Sequence, residues 1–196
     1  MMKRFMLGVA MAIGLAGCSA TEKGVTVEPY NLKGMEETLV SQTQVDSIDY
    51  FMLNGKTGGL DLKYSVEVYE KGKLVDELFQ SRGLIEENYK SELISFGLHN
   101  GKELELFVNT VGGTAMTNGY PAKGHEEMAS TYGSLIEEKI TLTKDQPAYI
   151  AIWAGTKGNM ISTLHGENGG LPDNLAQYDR AFLFKLELLD PDSADQ

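Results

Sequence analysis

An all-β fold is what this sequence predicts: an antiparallel β-sandwich of immunoglobulin-like or jelly-roll type, with a small β-barrel as the alternative. Three observations carry the prediction. Residues 60–69 alternate strictly, with Leu60, Leu62, Tyr64, Val66 and Val68 on one face and Asp61, Lys63, Ser65, Glu67 and Tyr69 on the other. That period of two marks a half-buried strand. Further short apolar runs recur along the chain with Gly, Asn, Asp and Pro between them, the punctuation of a many-stranded domain. No stretch shows the long 3.6-residue apolar period of an amphipathic helix.

The N-terminus stands apart from this pattern. Lys3-Arg4 is followed by an uncharged run over residues 5–15, too short to span a bilayer as a helix. A basic start, a short apolar segment and small residues at a cut site describe an export signal. Leu15-Ala16-Gly17-Cys18 ends that segment and holds the only cysteine. It resembles the lipobox of bacterial lipoproteins. The resemblance covers residues 1–18 alone, and it implies cleavage before Cys18 and a diacylglyceryl group on the Cys18 sulfur. Membrane contact would then run through diacylglyceryl-Cys18 on the extracytoplasmic face, of the outer membrane where the envelope has two.

The expected organisation is a signal peptide over 1–17, a lipidated Cys18 with a flexible tether to residue 29, one β-sandwich domain over 30–190, and a disordered tail over 191–196. Residues 30–40 read either as a helical turn around Met35–Leu39 or as an entry into the first strand. Residues 45–53 are branched and aromatic and end at Asn54-Gly55, a strong turn pair. After the alternating strand, Lys71-Gly72 turns the chain into residues 74–80. A two-residue loop there would bury Val75 and Phe79, and a three-residue loop Leu74 and Leu78. Around Asn100-Gly101, a three-residue loop over His99–Gly101 keeps apolar rows together, pairing Phe96 with Leu104 and Ile94 with Leu106. Ile140 and Leu142 alternate. Residues 148–154, AYIAIWA, carry no charge and read as a strand buried on both faces, with Tyr149 and Trp153 sharing one of them. Residues 160–164 form a further candidate strand, and Phe182, Phe184, Leu186 and Leu188 a last one.

Charge and composition narrow the function. The chain has 17 basic and 28 acidic side chains, a net charge of −11. Such a surface repels nucleic acid and anionic headgroups. With one cysteine, internal disulfides and sulfur-ligated zinc are excluded. Gly119 and Gly124 have phosphate-loop spacing, but His125-Glu126 stands where Lys-Ser/Thr is required, and no Gly-x-Ser-x-Gly elbow occurs.

What remains is loop chemistry. Residues 109–134 exceed the usual length of an unstructured connection, and residues 165–179 approach it. Met116, Tyr120, His125, Tyr132 and His165 in these stretches are the ligand-binding candidates. His125 and His165 with a carboxylate would form a metal or acid–base site if the two loops met. Calcium would draw on Glu167, Asp173 and Asp179, without EF-hand spacing. The expected function is a non-catalytic binding module for an envelope polysaccharide or protein. Alternatives are an envelope hydrolase with a His/carboxylate site and a passive structural lipoprotein.

Overall fold

The computed structural model describes residues 24–43, 45–82, 88–101, 103–110, 113–116, 127–158, 164 and 167–191, the side chains of 81, 82, 114–116 and 167 excepted. It is a sandwich of two antiparallel sheets. The elements are β1 (Val25–Tyr30), α1 (Met35–Ser41), β2 (Ser47–Lys56), β3 (Asp61–Glu70), β4 (Lys73–Arg82), β5 (Asn88–Asn100), β6 (Leu104–Thr110), β7 (Gly113–Met116), β8 (Ala129–Ser134), β9 (Ile140–Thr141), β10 (Ala148–Thr156) and β11 (Arg180–Leu189). One sheet has the order β7-β6-β5-β2-β1-β9 and the other β4-β3-β11-β10-β8. Among the described residues each sheet ends in edge strands, β7 and β9 in one and β4 and β8 in the other, so the barrel alternative is set aside. Among the described residues no helix is long and apolar enough to cross a membrane.

The apolar rows read from the sequence meet between the sheets. Leu62, Tyr64, Val66 and Val68 of β3 and Phe182, Phe184, Leu186 and Leu188 of β11 pack against Phe51 and Leu53 of β2 and Ile94, Phe96 and Leu98 of β5. Phe96 and Phe184 stack across the interface with centroids 5.6 Å apart. Each such side chain, fully buried, contributes about 1.5–3 kcal/mol of transfer free energy.

A second apolar cluster lies on the outer face of the five-stranded sheet. Tyr69, Tyr149, Ile152, Ala154, Ala181 and Leu183 are covered there by Leu135, Leu175 and Tyr178. The connection after β10 therefore works as a packing layer, with the 3-10 turn at Leu175–Gln177 holding Leu175 down. This layer also seals the face of β3 expected to meet water. Lys185 and Glu67 are 8% and 7% exposed and ion-paired at 2.6 Å. Lys185 also reaches Glu77 at 3.0 Å and Glu187 at 3.1 Å, and the hydroxyls of Tyr69 and Tyr149 both donate to Glu67 Oε2. Burial pushes the Lys185 ammonium down, but hydrogen bonds to Glu67, Glu77 and Glu187 outweigh it and hold the group above the ordinary lysine range.

Several local expectations are corrected. The tether does not run to residue 29, because Val25–Tyr30 is a strand paired with both β2 and β9. Asn54-Gly55 is not a turn but part of β2. Gly55 has φ +102°, and a Cβ there would lie 2.0 Å from the Gly24 carbonyl oxygen. Its glycine serves a close backbone approach rather than a hairpin. The β3–β4 loop has two residues, with Glu70 opposite Lys73, but a bulge beyond it shifts the register so that Leu78 faces Val66. Leu74 and Val75 are both exposed. The β5–β6 loop lies at 101–103 and pairs Phe96 with Val108 and Leu98 with Leu106. The two-residue displacement preserves which side chains face inward. In β10, a bulge between Tyr149 and Ala151 puts Tyr149 and Trp153 on opposite faces, both in core. Within the Gly-rich stretch 109–134 the described residues form β7 and β8, so it is not one long unstructured loop. Of the expected strand over 160–164, only Leu164 is among the described residues.

Candidate functional site

The sequence candidates do not assemble into one site among the described residues. Cys18, Tyr120, His125 and His165 lie outside those residues, and the side chains of Met116 in β7 and Glu167 in a 3-10 turn are not described. Tyr132, offered as a ligand residue, is a latch between the sheets. Its hydroxyl accepts the backbone N–H of Asp49 at 2.9 Å and donates to the carbonyl of Phe96 at 2.5 Å. Asp49 and Phe96 are register partners in β2 and β5, so a side chain from the five-stranded sheet bridges a rung of the other. Its ring also stacks on Phe96 at 6.0 Å. Asp179 is likewise committed, accepting Lys157 N at 2.7 Å and Thr156 Oγ1 at 3.3 Å. Asp173 is exposed in a turn. No group of three or more His, Cys, Asp or Glu side chains suited to a metal is found among the described residues. His99 pairs with Asp46 at 2.9 Å at the end of β5.

The concave region lies elsewhere, where β1 ends. Tyr30 is the last β1 residue and pairs with Tyr50, leaving Ser47, Ile48 and Asp49 of β2 without a β1 neighbour. The chain leaves through Asn31 and Leu32 into α1, and a cavity of about 320 Å³ opens at the uncovered end of β2. Pro29, Tyr30, Leu32, Glu37, Ile48, Asp49, Tyr50, Phe51 and Ser134 line it, so it wraps from the outer sheet face to the interior. A second, more apolar groove of about 420 Å³ adjoins it on the outer face. Leu39 and Val40 of α1, Met52 of β2 and Leu93 of β5 line this groove, and Tyr30, Leu32 and Tyr50 are common to both spaces.

The electrostatics of the cavity centre on Asp49. It alternates inward with Phe51 and Leu53, and its Oδ2 has no hydrogen-bond partner among the described residues. Burial pushes its carboxyl up to about 6, which the adjacent Tyr132 hydroxyl only partly counters. Ionising a desolvated carboxylate is costly unless something compensates the charge.

Helix α1 forms the outer wall and is held by polar ties rather than burial. The Tyr30 hydroxyl donates to Glu36 at 3.0 Å, and Glu36 also accepts the Lys33 N–H at 3.0 Å. Glu36 and Glu37 stand in its first turn, where they favour the helix dipole. No α1 residue is buried, and Met35 and Leu39 are 72% and 60% exposed. The sequence marked a helical turn here but not its role. A legible signal was the pair of large apolar residues within so polar a segment.

No curated protein and no solved structure matches the chain significantly. A family model, the YgaN domain, matches residues 26–188, from the second residue of β1 to the penultimate residue of β11, and so spans both sheets and the cleft. The chain belongs to the YgaN domain family.

Proposed function

We propose that this protein is a lipid-anchored, extracytoplasmic binding module whose ligand enters the cleft between α1 and the uncovered end of β2. The observation that carries the binding reading is that cleft: two adjoining spaces, one with a half-buried carboxyl and one mostly apolar, sharing two tyrosines. Concave, largely apolar sites with a few placed polar groups are the usual form of a ligand pocket. The anchoring half rests on the basic start, the apolar run and Leu15-Ala16-Gly17-Cys18. Val25 begins the first strand seven residues after Cys18, a span of at most about 25 Å. The sandwich would sit close to the bilayer, with the Tyr30 end of β1 and its cleft farther along the strand.

Two measurements test the proposal. Cys18→Ser should abolish incorporation of labelled fatty acid and release the protein from the membrane fraction, and label retained on that variant would refute the anchor. Envelope fragments captured by photo-crosslinking should map to peptides containing Tyr30, Asp49 or Leu93. Adducts confined to the opposite sheet would refute the cleft.

A further inference from the structure

Resting on the cleft as the binding site, the two spaces together specify a ligand class. The groove presents Leu39, Val40, Met52 and Leu93, and Leu39 and Leu93 remain 60% and 42% exposed. Apolar surface of this kind, in an otherwise strongly acidic protein, marks a place where an apolar group is received. The adjoining cavity contributes Asp49 and Glu37, and the groove mouth contributes Glu36. Among the described residues no Lys, Arg or His lines either space. Among the described lining residues an anionic head would meet three carboxyls and no cation, whereas an ammonium head would meet opposite charge from Asp49 and Glu37.

We infer that the cleft takes a single-chain cationic amphiphile, its hydrocarbon chain in the groove over Met52 and Leu93 and its ammonium group in the cavity beside Asp49 and Glu37. The shared Tyr30 and Tyr50 rings stand at the junction of chain and head, where an aromatic face also favours a cation. Two separate ligands would not require the spaces to adjoin.

Titration calorimetry of the full chain at pH 8 with decylamine, dodecylamine and dodecanoate, below their micellar concentrations, tests this. Amine affinity should rise about twofold to fourfold per methylene, as expected for a partly to fully buried CH₂, and exceed that of dodecanoate by about tenfold or more. Leu39→Gln/Leu93→Gln changes exposed residues and should leave the unfolding transition in place while removing the chain-length dependence. Asp49→Asn/Glu37→Gln should keep that dependence and lose the preference for amine. Equal uptake of amine and carboxylate, no chain-length effect, or binding unaffected by the Leu pair would overturn the inference. Dimerisation abolished by the Leu pair, without amine uptake, would overturn it in favour of a second copy on the groove. Capture of an envelope fragment at Asp49 without amine binding would overturn the amphiphile and leave the binding module standing.

Discussion

Replacing Asp49 with Asn should stabilise the protein at neutral and alkaline pH, because the native fold holds this carboxyl where ionisation is unfavourable. Its value rises from an ordinary 3.8 to about 6 through burial, partly offset by Tyr132. Two units correspond to about 3 kcal/mol at 1.36 kcal/mol per unit. The residue sits at the edge of an open cavity, and solvent there reduces the expected effect to roughly 1–2 kcal/mol. The sign follows from the raised folded value: the penalty is absent below about pH 4, grows as pH rises through about 6, and is complete above that. Parent and Asp49→Asn should therefore unfold in urea with similar midpoints at pH 4 and diverge at pH 8, the variant being the more stable. Trp153, buried in the main core, gives the fluorescence signal. In a domain of this size, the gain at pH 8 should appear as a rise of about 2–8 °C in Tm. A difference between the proteins that does not change from pH 4 to pH 8 would refute the reasoning, since lost charge would then have no role. A gain in stability accompanied by weaker ligand capture is the expected exchange for a strained binding group.

Other substitutions separate the remaining interactions. Tyr132→Phe keeps the ring against Phe96 but removes the hydroxyl from the Asp49 N–H and the Phe96 carbonyl; about 1–3 kcal/mol should be lost, read as a lower urea midpoint. Lys185→Met leaves Glu67 buried without its cation and should cost about 3–5 kcal/mol, whereas adding Glu67→Leu should recover much of that loss. Gly55→Ala would drive a Cβ into the Gly24 carbonyl; thermal unfolding should fall by at least the equivalent of about 1–3 kcal/mol. Cys18→Ser should free the protein from the membrane, as fractionation would show.

The sequence by itself determined the fold class and most of the inner rows. Leu62 to Val68 and Phe182 to Leu188 alternate because a strand sends successive side chains to opposite faces, a local property that any ten residues can display. The same parity survived in the β5–β6 hairpin even though its loop lies two residues beyond the expected position. Tertiary structure decided whatever depended on a distant partner. β1, β7 and β8 are short, polar or glycine-containing segments whose extended form follows from pairing with β2, β6 and β10. Glu67 read as a solvent-facing residue because its cation stands 118 positions away and its cover comes from a connection that looked unstructured. The bulge that parts Tyr149 from Trp153 has no mark in AYIAIWA. The cleft was the least legible feature: it exists because β1 stops at Tyr30 while β2 extends three residues farther, a mismatch of strand ends that only long-range pairing creates.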